Sequence, residues 1–269
     1  MMRILFLGDI VGHIGIAAVS DVLPLLRKRY APDFVIANGE NATRGRGLSE
    51  RDYKSIIACG VDCITLGNHY HDRQEIDDYI DSVPNLIRPL NLVGYDKGQG
   101  SIIFDVNGYE VQVTNVMGKA YIKNEVSDPI DAFSALLEEK RSDIHIVDLH
   151  AESTSEKQMF GYYFDSIVTS VIGTHTHVQT NDAFIMDGGT SFISDVGYCG
   201  AFPSLIGFEP QSVIDRIVHN RGKMVIDEDA KKLVCGVVID IDEESGLTTS
   251  IASFKYLEGK EWGNGQSRH

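Results

Sequence analysis

The sequence predicts a layered α/β fold made of two packed, mixed β-sheets flanked by helices. Short β-branched runs alternate with helical patterns through the first two thirds of the chain, the signature of strand–helix layering. Three pairs of strand-like runs joined by turn signals are inserted among these units, which argues against a single doubly wound sheet. No repeat, low-complexity tract or linker divides the 269 residues. Residues 1–269 therefore read as one domain, with a polar, glycine-containing tail at 263–269 expected to fray.

Taken in order, the buried-strand candidates are Arg3 to Gly8, Phe34 to Ala37, Cys63 to Leu66, Ile144 to Leu149 and Ile167 to Ile172. A helix is expected from Ile16 to Tyr30, kinked at Pro24. A second runs from Glu50 to Cys59, with Ser49 as cap and Gly60 just past its end. A third spans Arg73 to Ser82, and a fourth Pro129 to Arg141, with Asp128 and Pro129 as a cap and first-position pair. The paired runs are Ser101 to Val106 with Glu110 to Asn115, around the hairpin signal Asn107-Gly108. Ala183 to Met186 pairs with Ser191 to Ser194, and Leu233 to Ile241 with Thr248 to Tyr256.

Composition bounds the function. With 43% hydrophobic and 23% charged residues the chain is an ordinary globular one. Lys plus Arg is 24 against 39 for Asp plus Glu, a net charge of -15. Such a surface repels nucleic-acid backbones and anionic membranes on average, so neither a stable nucleic-acid complex nor membrane binding is expected. Bound phosphate would need a local positive centre, and few Lys or Arg clusters are evident. No run approaches the ~18 apolar residues of a membrane span. The N-terminal apolar run meets Asp9 too soon for a signal peptide, so a cytoplasmic location is expected. Cys59, Cys63, Cys199 and Cys235 read as free core thiols. Oligomeric state, a homo-oligomer included, stays open.

The strands end in metal-binding chemistry. The first runs into Gly8-Asp9, the second into Asn38-Gly39-Glu40-Asn41 and the third into Gly67-Asn68-His69. The fourth runs into His150-Ala151-Glu152 and the fifth into Gly173-Thr174-His175-Thr176-His177. Alone, a Gly-Asp or Gly-Asn pair is turn chemistry. Together the strands deliver carboxylates (Asp9, Glu40), amide oxygens (Asn41, Asn68) and imidazoles (His150, His175, His177) to the edge where α/β sheets place their sites. Residues 175 and 177 would share one side of an extended segment. This donor set suits manganese, iron or zinc. It is too large for one tetrahedral ion and fits two divalent or mixed-valence ions per chain, which would also supply the missing positive charge.

His69 is the candidate catalytic group outside the ligand set, placed to protonate a leaving oxygen. His13 and His71 read as surface residues, and His145 as structural. Asp148 fits a partner to His150, a helix N-cap or a core role. The Gly8–Gly15 loop lacks dinucleotide-binding spacing. Arg44 and Arg46 lie in a glycine-containing loop that reads as solvated unless it touches a substrate phosphate.

These motifs resemble, in order, those of the calcineurin-like metallophosphoesterases. Val11 stands where that superfamily usually has His, and Glu40 where it usually bridges with Asp. Both departures resemble the bacterial YmdB-like phosphodiesterases, as do Ile36 to Asn41, His150 to Glu152 followed by Thr154 to Lys157, and Gly173 to Thr180. The resemblance implies a metallophosphoesterase-like sandwich. It implies that Asp9, Asn41 and His177 hold one metal, that Asn68, His150 and His175 hold the other, that Glu40 bridges, and that His69 donates the proton. The implied activity is hydrolysis of small phosphodiesters, chiefly 2',3'-cyclic and also 3',5'-cyclic nucleotides, by in-line attack of a metal-bound hydroxide. Tyr70-His71 and Tyr198-Cys199 depart from the family pattern, and both are expected to border the cleft. A regulatory nucleotide-binding protein and a metal-dependent amidohydrolase are the competing readings. The hairpins argue against the eight strand–helix repeats of the amidohydrolase.

Overall fold

Alternation along the first strand decides the layering. Ile4 and Phe6 turn into one apolar cluster while Leu5 and Leu7 turn into another, and a strand buried on both faces must be covered on both. The computed structural model describes residues 1–139 and 142–262. The frayed tail expected at 263–269 and the last two residues of the fourth expected helix lie outside the described residues.

The chain begins β1 (Met2–Leu7), β2 (Asp9–Ile10), α1 (Gly12–Tyr30), β3 (Phe34–Asn38), α2 (Glu50–Ala58), β4 (Cys63–Thr65), α3 (Ile76–Tyr79) and β5 (Leu86–Ile87). It continues with β6 (Ser101–Val106), β7 (Tyr109–Met117), α4 (Pro129–Glu139), β8 (Ile144–His150), α5 (Thr154–Tyr163), β9 (Ser170–Thr174), β10 (Phe184–Ile185) and β11 (Ser191–Ile193). Last come β12 (Tyr198–Phe202), α6 (Pro210–Ile217), β13 (Lys231–Asp242), β14 (Leu247–Leu257) and β15 (Lys260–Glu261).

Two mixed sheets result. The first runs β15-β14-β13-β1-β3-β4-β5, with β12 bridging β13 and β2. The second runs β10-β11-β9-β8-β7-β6. Phe6, Ile36, Cys63 and Ile239 of the first sheet meet Val113, Ile146, Ile172 and Ile193 of the second in the central core. The outer face of the first sheet is covered by α1 and α2 through Val19, Leu23, Leu26 and Ile56. That of the second is covered by α4 and α5 through Phe133 and Phe160. Among the described residues no helix is long and apolar enough to cross a membrane.

The predicted strands and hairpins are present, with instructive shifts. Asn107 and Gly108 both have positive φ, 55° and 89°, as a two-residue hairpin turn requires. The first helix begins at Gly12 and runs through Pro24 as one element. No local side chain caps it; the carboxylate of distant Glu228 accepts from Ile14 N at 2.7 Å. The third helix starts three residues late because Ile76 N bonds Arg73 O at 3.1 Å, an i→i+3 turn. The fifth strand also starts late, at Ser170, because Ile167 and Val168 turn back onto Phe164 O.

The unpredicted elements are α5, β12, α6 and the two-residue strands β2, β5 and β15. The signal for α5 was Ser153 followed by Glu156, and Ser153 Oγ does accept from Glu156 N. Pro210 at the first turn was the signal for α6.

Phe133 is fully buried, with ring centroids 5.4 Å from Phe160 and 4.8 Å from Phe164. Phe133→Ala should cost about 3–5 kcal/mol in urea denaturation; a loss under about 1 kcal/mol would contradict this packing.

Candidate metal centre

One step before the carboxyl ends of the strands, the layer between the sheets changes from apolar to polar. Asn38, Thr65, Asp148 and Thr174 are all fully buried. They share one acceptor. Asp148 Oδ2 accepts from Asn38 Nδ2 at 3.0 Å and from Thr65 Oγ1, and Asp148 Oδ1 accepts from Thr174 Oγ1 at 2.6 Å. Burial pushes the Asp148 carboxyl up, opposed by His150 and by these donors. Strands of both sheets are thereby joined through one side chain.

Above this layer the predicted ligands converge, and they sort by chemistry. Asp9, Glu40, Asn41 and Asn68 follow β1, β3 and β4, so the first sheet supplies only oxygen donors. His150, His175 and His177 end or follow β8 and β9, so the second supplies only nitrogen. His150 Nε2 lies 3.0 Å from Asn68 Oδ1, 3.3 Å from Glu40 Oε1 and 3.1 Å from His175 Nδ1. Ligand atoms of Glu40, His150 and His175 all lie within 4.8 Å of one another. A second group forms beside it, where His177 Nε2 lies 3.2 Å from Asn41 Oδ1 and 4.0 Å from Asp9 Oδ1.

Each imidazole is held by its other nitrogen. His150 Nδ1 lies 2.9 Å from Thr174 Oγ1, whose proton is committed to Asp148, so the ring donates there. His177 Nδ1 donates to Ile206 O at 2.8 Å, and His175 Nε2 lies 3.0 Å from Glu152 Oε2. In each case the second ring nitrogen faces the cluster, the arrangement that fixes metal-binding imidazoles.

The residues fit a bound cation. Asp9 Oδ1 is buried without a hydrogen-bond partner, costly for an oxygen that nothing coordinates. At Gly67 a Cβ would stand 2.3 Å from His150 Nε2 and 2.4 Å from Glu40 Oε2, so glycine keeps the space among the donors open. Burial lifts the Asp9 carboxyl to about 7. Burial would depress the His150 imidazole, yet Glu40, Asp9 and Asp148 raise it to about 9. Burial and the neighbouring His150 lower His175 to about 3, leaving it neutral.

His175 and His177 reach the site by a route other than strand alternation. Both have positive φ, 102° and 61°, outside the extended region and strained for a side-chain-bearing residue. The two rings consequently face different groups of donors. The loop is pinned from below by Lys157, whose Nζ donates to Thr174 O at 2.8 Å and to Asp195 Oδ2 at 3.1 Å; Asp195 Oδ2 also accepts from Thr176 N at 2.9 Å. Neither Lys157 nor Asp195 was predicted as part of the site.

His69 lines a cleft of about 400 Å³ with Asn68, His175, Arg46 and Lys123. Its Nδ1 meets Asp72 Oδ2 at 2.9 Å, a partner the sequence did not reveal, and its backbone N donates to Glu40 Oε2 at 2.9 Å. His13 and His71 lie elsewhere, paired with Asp52 and Asp77. His145 is buried against Phe133 and bonded to Thr114. Tyr70-His71 and Tyr198-Cys199, expected to border the cleft, are not among the residues that line it at His69. Tyr70 and His71 pack on Tyr95. Tyr198 and Cys199 open β12, with Tyr198 stacked on His177 at 5.9 Å. All four cysteines are free thiols.

The two-sheet sandwich is also the fold of a solved calcineurin-like phosphoesterase, YfkN of Bacillus subtilis, with a TM-score of 0.55 at 13% identity, covering 99% of this chain and 92% of that one. The chain belongs to the YmdB-like protein family, whose model matches residues 5–254. It is 42% identical over 252 residues to the 2',3'-cyclic-nucleotide 2'-phosphodiesterase of Bacillus subtilis (strain 168), covering 93% of this chain and 95% of the relative. It is also similar to the crystal structure of a novel phosphatase from Mycoplasma pneumoniae, at 34% identity and a TM-score of 0.89, over 96% of this chain and 94% of the other.

Lys157→Met should cost about 3–5 kcal/mol in chemical denaturation, because it leaves the Asp195 carboxylate buried without its partner. The metal-free protein should also show a signed pH dependence. A group raised in the fold from 6.5 to about 9, as His150 is, stabilises fully below 6.5, and that contribution is lost as pH rises through 9. The thermal midpoint after EDTA treatment should therefore fall over this range, and saturating manganese should flatten the fall. A midpoint that rises instead would contradict the site geometry.

Proposed function

We propose that the chain is a dinuclear metal-dependent phosphodiesterase of small phosphodiesters, 2',3'-cyclic nucleotides first and 3',5'-cyclic nucleotides second. It acts in the cytoplasm as a single metallophosphoesterase domain spanning 1–269. The observation that carries this reading is the triple orientation of His150, His175 and His177, each tied back through one ring nitrogen with the other turned into the donor cluster. The name of the Bacillus subtilis relative supports the substrate class.

In this proposal Asp9, Asn41 and His177 would hold one ion and Asn68, His150 and His175 the other, with Glu40 shared between them; iron or manganese would suit the set. Bound ions would supply an activated water and positive charge on the phosphoryl oxygens. The side chains do the rest. Asp72 holds the His69 ring by Nδ1, which leaves Nε2 to carry the proton to the leaving sugar oxygen. Asn124 Nδ2 donates to Asn68 O at 2.9 Å and fixes the segment that presents Asn68 and His69. Arg46 and Lys123, lining the same cleft, attract the anionic substrate.

Purified protein should contain about two metal ions per chain and open adenosine 2',3'-cyclic phosphate. His69→Ala should retain the metal while turnover drops about 10²–10⁴-fold. Full turnover by protein stripped to zero metal would sink the proposal.

A further inference from the structure

The cleft at His69 does not end there. Arg46 and Asp72 also line a second, larger cavity of about 750 Å³, within the roughly 300–1,000 Å³ of small-molecule sites. Its other cations are Arg44, Arg73, Arg216 and Lys223, with Phe208 and Met224 as an apolar floor. Asp72 is the one carboxylate among its lining residues. Among the described residues Arg44, Arg73, Arg216 and Lys223 make no ion pair, and Arg46 only approaches Asp72 at 4.0 Å. On a chain of net charge -15, unneutralised cations drawn from three separate segments into one cavity call for an anion.

Both walls of this cavity are anchored to the ligand set. Asn41, whose Oδ1 faces His177, donates through Nδ2 to Gly45 O at 3.1 Å, and so positions the loop that carries Arg44 and Arg46. His177 itself donates to Ile206 O, two residues before the lining residue Phe208. Gly45 seats directly on the Phe208 ring, where a Cβ would stand 2.7 Å from Cζ. The cationic cavity therefore holds a fixed position relative to the scissile site.

We infer that this cavity is a second phosphate subsite, and that the preferred substrate carries a further phosphate beyond the one being cleaved. The inference rests on the phosphodiesterase reading above and deepens it. In a 2',3'-cyclic nucleotide the scissile phosphate occupies the 2' and 3' oxygens, so a further backbone phosphate is attached at the 5' oxygen. A 5'-phosphorylated mononucleotide and the 3' end of a short oligonucleotide both present that group.

The test compares adenosine 2',3'-cyclic phosphate with a 5'-hydroxyl, the same compound with a 5'-phosphate, and a dinucleotide ending in a 2',3'-cyclic phosphate. The second phosphate should lower KM about tenfold. An advantage for both phosphorylated compounds assigns the subsite to the phosphate itself, and an advantage for the dinucleotide alone assigns it to an oligonucleotide end. The double variant R216A/K223A, at exposed positions and with an unchanged melting curve as the folding control, should collapse the ratio toward one. Equal KM for all three compounds in the unaltered protein overturns the subsite and leaves the phosphodiesterase reading standing. Calorimetric titration of metal-loaded His69→Ala protein with the same compounds reads the affinity ratio without turnover. A failure of catalysis and a failure of the subsite are thus separable, and equal affinities there also overturn the inference.

Discussion

A single buried carboxylate sets the geometry on which the rest depends. Asp148 sits between the two sheets and accepts hydrogen bonds from β3, β4 and β9 while belonging to β8. Acceptors buried at this depth are costly unless every lone pair is used, so the carboxylate fixes the register of four strands at the level just below the ligands. The same bond from Thr174 decides the chemistry above. Having given its proton to Asp148, Thr174 can only accept from His150, and that choice directs the other nitrogen of the ring at Asn68 and Glu40.

Much of this was legible in the sequence, because parallel strands deliver whatever follows them to one edge. Asp9, Glu40, Asn41, Asn68 and His150 each follow or end a strand that the pattern located. What stayed hidden depends on contacts that no local pattern encodes. The start of α1 is capped by Glu228 from the far end of the chain. The convergence of His175 and His177 was anticipated for the wrong reason: left-handed backbone, held down by Lys157 and Asp195, sends the rings to different groups of donors. Asp148 could be read equally as partner or core, and the structure makes it both. Asp72 carried no signal, since an acid three residues past a histidine in an irregular segment is unremarkable as sequence.

Net charge proved a poor guide to local potential. The total of -15 suggested that positive clusters were lacking, yet Arg44, Arg46, Arg73, Arg216 and Lys223 meet in one cavity from positions far apart along the chain. Summed charge governs the average field; the folded path of the chain decides where its exceptions fall. The two cavities, sharing Arg46 and Asp72, make the attractive region continuous with the histidine cluster.

The division of oxygen donors to one sheet and nitrogen donors to the other has a mechanical consequence. Ions seated between them would act as rivets through a seam, resisting any sliding of one sheet over its neighbour. Shear would distort the whole cluster, because its oxygen and nitrogen donors come from different sheets. Binding free energy at such a seam is also folding free energy, so the edge that does the chemistry would be the part of the sandwich whose rigidity varies with the supply of metal.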